Sequence, residues 1–363
     1  MSHGSTPICG AKRIKIAVTY AGLSALFACS GSVDRSPPIT GFADDAAVAD
    51  HTGENETPDS DAPDGPPSTP SSCRSEAPGT DNQCGQASGD DCCASLLVPG
   101  GKFLRYYDGV GFDKTEFPAT VSAFWLDKYP VTVGRFRKFV EAFPDSRPKA
   151  GDGAHPNVPE SGWKSSFPIA ADQLSLRQVL AEKPATCVAP TWTDTPGSGE
   201  DLPINCVTWY EMFAFCAWDG GRLPSVAEYQ FAALGGAQQR VYPWSVPPDS
   251  QVVDASYAVY SPDPVKNPLP APLPVGTRPK GAGLWGHLDL AGNVESLLLD
   301  QDLGDPGNCA NCVILVPGVS PDSRLTQGGY FGGGYMLLQS ASVFSQFADQ
   351  RRDSAGGRCV RMK

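Results

Sequence analysis

Short strands and a few capped helices joined by long irregular loops are what this 363-residue sequence predicts. Three observations carry that expectation. Two helices with reciprocal caps lie between Thr208 and Gly236. Apolar runs broken by Gly-Gly or Pro, from Ser95 to Val131, have the look of strand and turn. Beyond these, 144–202 and the stretch from Trp244 to Gly281 show little periodicity, the second being rich in proline.

Taken in order, the chain opens on Lys12, Arg13 and Lys15 followed by the apolar run IAVTYAGLSALFA. That run is too short for a membrane span of about 20 residues and has the form of an export signal. Its end, Leu26-Phe27-Ala28-Cys29, resembles a bacterial lipoprotein box. The resemblance implies a signal peptide over 1–28, lipidation of Cys29 and an exported, membrane-anchored protein, periplasmic or at the cell surface. An ordinary secretory signal with an incidental cysteine is the alternative. Residues 29–91 are acidic and rich in Pro, Ser and Gly. Such a segment buries too little apolar surface to offset its ordering entropy, which predicts an extended tether. Of the net charge of -12, -11 falls between Asp34 and Asp91, so the domain itself is nearly neutral. It has no concentrated basic face, which excludes nucleic acid as an expected partner.

Twelve cysteines in an exported chain point to disulfides. Setting aside Cys9 in the signal and Cys29 leaves an even number. Cys73, Cys84, Cys92 and Cys93 are placed to staple the tether's end to the domain. The competing zinc reading lacks a paired C-x-x-C arrangement and a nearby histidine. Cys187 and Cys206 flank an acidic Gly-Ser loop and are candidates for a bridge. Cys309-Ala-Asn-Cys312 is open to a redox or a structural reading. The redox reading wants a helix N-terminus to lower a thiol pKa, and Asp305-Pro-Gly before it suggests a loop.

The domain is expected over 92–363. SLLVPGGKFLRYYD reads as strand and turn, and TVSAFWLDKYPVTVGRFRKFVEAF as strand, turn and helix. Thr132 is the expected N-cap, with Phe136, Phe139, Val140 and Phe143 on one face. Pro144 ends that helix, and Gly134 weakens its start by up to about 1 kcal/mol. SLRQVLAEK is a further short helix. Thr208 with Glu211, and Ser225 with Glu228, fit capping boxes, and the Gly pairs at 220–221 and 235–236 close the two helices.

The stretch GGRLPSVAEYQFAALGG followed by YPW resembles the signature of the formylglycine-generating, or sulfatase-modifying factor, family. So do the VTVGRF helix start, GLWGHLDLAGNVES and the ending RLTQGGYFGGG…GGRCVR. Four motifs in the family's order span about 96–361. The resemblance implies a single α+β domain, C-type-lectin-like and low in regular secondary structure. It also implies a disulfide between Cys216 and Cys359.

Aerobic members of that family bind copper(I) through two thiolates after a Gly-Gly-Ser motif, soft ligands for a soft metal. Those positions fall near Gly333 and Leu338 here, and no cysteine lies between Cys312 and Cys359. Copper is therefore not expected. Tyr330 replaces the serine, and Glu295-Ser296-Leu297 stands where the family has Trp-Glu-Trp. The iron-dependent branch needs three histidines, and only His155 and His287 lie outside the signal and tether. The resemblance implies a calcium site on Asp289, Gly292 and Val294 (the last two through carbonyls), with Ser296 at the family's glutamate position; a simple turn capped by Asp289 is the alternative.

Two function classes follow. One is a silent version of the fold, tethered to a membrane by its lipid, that binds an extracellular or periplasmic protein or polymer. Glycines at 328, 329, 332, 333 and 334 would open a groove for it, with Tyr330, Phe331 and Tyr335 beside it. The other is a divergent oxidase converting a sulfatase cysteine to formylglycine. A thiol pair or copper in the pocket separates them.

Overall fold

The computed structural model describes residues 65–361, apart from 76, 82, 87–88, 267–270, 305–306 and 317–321. The signal over 1–28, Cys29 and the tether up to residue 64 lie outside the described residues. The described strands, in chain order, are β1 (Ser95–Val98), β2 (Gly101–Leu104), β3 (Pro118–Val121), β4 (Phe124–Asp127), β5 (Gly221–Arg222), β6 (Glu295–Gln301), β7 (Cys309–Ala310), β8 (Ser323–Gln327), β9 (Val343–Phe347), β10 (Ala355–Gly356) and β11 (Val360–Arg361). The helices are α1 (Val133–Glu141), α2 (Gln173–Ala181), α3 (Trp209–Trp218) and α4 (Val226–Leu234). None of the described helices is long and apolar enough to cross a membrane.

The helix starts follow from side-chain caps. Thr132, Asp172, Thr208 and Ser225 each accept a hydrogen bond from the backbone N–H three residues on. At Thr208 and Ser225 the box is complete, because Glu211 and Glu228 return a carboxylate to the capping residue's own N–H. Gly235 closes α4 in the left-handed region that glycine enters without strain. Gly134 has a packing reason for its place inside α1. A Cβ there would collide with the carbonyl oxygen of Pro78, so residues 78–79 lie directly on the helix.

Three small sheets result, in the orders β1-β4-β11-β5, β10-β6-β8-β9 and β2-β3-β7. Every residue of β6 is buried. Its alternating side chains serve two cores: Leu297 and Leu299 join the aromatic cluster under α1, α2 and α3, and Leu298 joins the cluster under α4 and β1–β4. Phe136, Phe139, Phe215, Phe213 and Trp209 dominate the first core, with ring centroids 5.1–6.1 Å apart among Phe136–Phe139, Phe136–Phe215, Phe139–Phe215 and Trp209–Phe213.

All ten cysteines among the described residues are paired: Cys73–Cys93, Cys84–Cys92, Cys187–Cys206, Cys216–Cys359 and Cys309–Cys312. The first two close loops within one stretch, from 73 to 93 and from 84 to 92, and hydrogen bonds hold its start to the end of α3: Ser72 N–H donates to Asp219 Oδ1 (2.7 Å) and Ser71 Oγ to the Trp218 carbonyl (2.9 Å). With those four sulfurs in disulfides, none is a thiolate ligand for zinc.

Candidate functional site

The site expected from sequence lies where β6 starts and β8 ends, since Ser296 and Gln327 are partners in the antiparallel ladder. Thr326 Oγ1 donates to Glu295 Oε2 at 2.8 Å, and Ser296 Oγ stands 3.2 Å from the Tyr229 hydroxyl, which donates to the Leu290 carbonyl. Burial raises the Glu295 carboxyl above its ordinary range against the opposing pull of Arg352 and the Thr326 bond. These groups satisfy one another and place no free nucleophile at the surface.

The glycine-rich loop after β8 differs from the expected open groove. A Cβ on Gly328 would meet the Leu290 carbonyl oxygen at 2.8 Å, and one on Gly329 the Leu337 carbonyl oxygen at 2.7 Å. Both residues have positive φ, so backbone packing requires glycine there. The Tyr330 ring covers the next two: Cβ atoms on Gly332 and Gly333 would fall 2.9 and 3.0 Å from its carbons. Tyr330 therefore fills the space that the glycines were expected to leave. Phe331 is buried, whereas Tyr335 is 51% exposed. Of the two positions matched to the family's cysteines, Gly333 lies under the Tyr330 ring and offers only its carbonyl, which accepts from Ser261 N–H at 2.9 Å. Leu338 is buried with Val241, Tyr242 and Ala291.

The Asp289 loop is held by the protein itself. Asp289 Oδ2 accepts from Gly276 N–H at 2.7 Å, Gly292 N–H donates to the Gly328 carbonyl, and Arg358 Nη2 donates to the carbonyls of Leu288 and Asp289 at 2.8 and 2.7 Å. Calcium takes about six to eight oxygen ligands. Here Asp289, Gly292 and Val294 supply a single carboxylate, the family's glutamate is Ser296, and a guanidinium sits on the adjacent carbonyls. That donor set fits calcium poorly. Among the described residues no group of three or more His, Cys, Asp or Glu side chains is placed to hold a metal ion.

The two domain histidines serve the interior. His155 Nε2 lies 3.8 Å from Glu228 Oε1, whose carboxylate is bridged by Arg222. His287 lies in a loop and is fully buried. Burial, then repulsion from Arg358, lowers its pKa to about 3. An unfolded imidazole binds a proton near 6.5, so acid favours the unfolded chain from there down, at about 1.4 kcal/mol per pH unit. His287→Leu is expected to make the loss of stability between pH 7 and pH 5 shallower by about 2 kcal/mol, read from urea unfolding at each pH. An unchanged slope would show that His287 titrates normally.

Sequence reading also missed a buried ion network. Asp127 and Asp219 face Arg135 and Arg361 across 2.6–3.0 Å, all with side chains at most 1% exposed. Burial alone would raise Asp127, but the two guanidiniums outweigh it and hold the carboxyl at about 2. Its members are spread from 127 to 361, so no local spacing announces it.

Residues 81–363 match the family described as the sulfatase-modifying factor enzyme 1-like domain. The chain belongs to that family. An inactive C-alpha-formylglycine-generating enzyme 2 from Mus musculus is 33% identical over 165 residues, 42% of this chain and 50% of the relative. A formylglycine-generating enzyme from Mycobacterium tuberculosis is 29% identical over 295 residues, 72% of this chain and 96% of the relative. The chain spans about half the length of the mouse relative. The structure of PvdO from Pseudomonas aeruginosa superposes with a TM-score of 0.52 at 18% identity, covering 80% of this chain and all of that one. That likeness speaks to fold alone. It agrees with a sulfatase-modifying factor domain of mixed α+β type, few helices and several small sheets.

Proposed function

We propose that this sulfatase-modifying factor domain is catalytically silent and acts as a binding module, exported and held to a membrane through a lipid on Cys29. One observation carries the silence: every cysteine among the described residues is in a disulfide, and the two positions that would hold copper thiolates are a glycine under Tyr330 and a buried leucine. Gly333 has no side-chain ligand and Leu338 only a hydrocarbon one, so a cuprous ion has nothing soft to bind there. The similarity to a mouse protein named as inactive is consistent with this reading.

For the ligand-facing surface, the filled glycine loop is replaced by a cleft of about 410 Å³ lined by Tyr106, Phe112, Phe117, Leu325, Val343 and Phe344. Strand β9 borders it and, among the described strands, pairs with β8 alone, which leaves its other side as an edge. An open strand edge beside aromatic side chains suits an extended peptide, which adds main-chain hydrogen bonds while its side chains enter the cleft. Lys114 and Asp302 at the rim offer one charge of each sign.

The deciding experiment is a metal analysis of the purified protein beside a free-thiol count and an assay with a sulfatase-derived cysteine peptide. The expected result is no stoichiometric copper, no free thiol among Cys73–Cys359 and no formylglycine above blank at saturating copper. Bound copper with product would overturn the proposal in favour of a divergent oxidase. Calcium is read in the same analysis, and its absence is expected from the sparse donors around Asp289. For the binding surface, a panel of extended peptides tested by tryptophan fluorescence should include binders that β9 carrying Ser345→Pro loses; no binder in the panel counts against the module.

A further inference from the structure

Of the five disulfides, Cys309–Cys312 is placed unlike the rest. In each of the other four at least one cysteine is buried at 8% exposure or less. Both Cys309 and Cys312 are partly exposed, and their neighbours Asn308 and Ala310 are open to solvent. Thiol–disulfide exchange requires a thiolate to approach a sulfur in line, so access decides which bridge reacts first.

The loop that carries the pair is also held without the bridge. Cys309 and Ala310 form β7, laid parallel to β3 with Ala119 and Thr120 as partners. Asn311, with φ +48, donates its backbone N–H to the Thr120 carbonyl (2.9 Å). Its side chain accepts from Ser122 N–H (2.7 Å) and donates to Ser122 Oγ (2.8 Å). Arg105 donates to the Gly307 carbonyl, fixing the approach to the pair from the other side. The strand pairing and these four hydrogen bonds therefore keep residues 307–311 in place if the sulfur–sulfur bond opens, and the two thiols stay within reach of each other.

We propose that Cys309–Cys312 is a redox-exchangeable site, reduced and re-formed by external thiols while the other four bridges persist. An external thiolate attacks one sulfur, forming a mixed disulfide and releasing the partner sulfur, which takes a proton. A second external thiolate then attacks the external sulfur of that mixed disulfide and displaces the protein sulfur, which takes a proton, leaving two protein thiols and one oxidised external disulfide. Two electrons and two protons pass to the protein. The co-reactant class is a small thiol such as glutathione, or a protein dithiol in the same compartment. The motif starts on β7 and runs into a loop, without the helix N-terminus that would make it a strong oxidant, so it receives reducing equivalents and is not a catalyst of oxidation.

The test uses the full chain in graded glutathione buffers at neutral pH, with alkylation of free thiols and peptide mass mapping. Cys309 and Cys312 are expected to be labelled at least about tenfold faster than the eight cysteines of the other four bridges, with the circular dichroism unchanged, and to re-pair when oxidised glutathione is restored. Labelling no faster than Cys216 and Cys359, or labelling only with loss of the folded signal, overturns the proposal. Asn311→Ala supplies a second readout. Removing the clamp lets the reduced thiols separate, so re-pairing should need a more oxidising buffer, by about 30 mV for a tenfold change in the constant. A pair whose poise is the same in Asn311→Ala and in the parent chain is not positioned by the clamp, which refutes that half of the mechanism.

Discussion

Replacing Cys216 and Cys359 together by alanine is expected to lower the free energy of unfolding by about 5 kcal/mol, the largest effect of any bridge in the domain. The bond joins residues 143 apart. In the chain-entropy account, closing a loop of that size in the unfolded ensemble contributes about 5 kcal/mol, while the 19- and 20-residue loops of Cys187–Cys206 and Cys73–Cys93 contribute about 3. Both sulfurs are fully buried, Cys216 on α3 and Cys359 immediately before β11. The bridge thus fixes α3 against the strand that lies between β4 and β5. A domain of this size has a total stability of only about 5–15 kcal/mol, so the double variant should be partly unfolded at 37 °C. Urea unfolding of the double variant beside a Cys187→Ala, Cys206→Ala variant checks the ordering. A loss under about 2 kcal/mol for the first would mean that the unfolded chain is already compact around that contact.

The contrast between what the sequence disclosed and what it hid has a physical pattern. Helix caps were legible because Thr132, Thr208 and Ser225 act on amides three residues away, and such short-range chemistry is written in consecutive letters. The strands at Ser95–Val98 and Phe124–Asp127 were legible for the same reason, as runs bounded by turn residues. What stayed hidden depends on partners far along the chain. Strands β5, β10 and β11 are two residues each and exist only because a neighbour offers a ladder. In sequence, the glycines from 328 to 334 suggest an open groove. Glycine, however, serves equally where another group comes close, and here Leu290, Leu337 and Tyr330 do. At Asp289 a metal-ligand position and a turn cap look alike in sequence, and here the carboxylate accepts from Gly276 N–H while Arg358 donates to the Asp289 carbonyl. Position in a motif predicted where the chain goes, while the role of the side chain was set by contacts no motif contains.

Asp127→Ala is expected to cost about 3–5 kcal/mol, because it strips the shared counter-charge from two buried arginines. Asp127 takes Arg135 Nη1 at 3.0 Å and Arg361 Nε at 2.7 Å, and its Oδ2 also receives Cys359 N–H at 3.3 Å. Asp219 cannot balance Arg135 and Arg361 alone, and water has no access to either guanidinium at 0–1% side-chain exposure. The damage should spread, since the network ties the end of β4, α1, the end of α3 and β11 to one point. Double replacement of Asp127 by leucine and Arg361 by methionine should lose less than Asp127→Ala, because removing a charge with its partner leaves less unpaired charge behind. The pH dependence gives an independent check. A carboxyl held at about 2 against an ordinary 3.8 contributes stability that is complete above pH 4 and is lost as the pH falls toward 2. The parent chain should therefore lose stability between pH 4 and pH 2 more steeply than Asp127→Ala, in which this contribution is already gone. Equal slopes in that window would show that Asp127 is not the anion around which the four-member network is built.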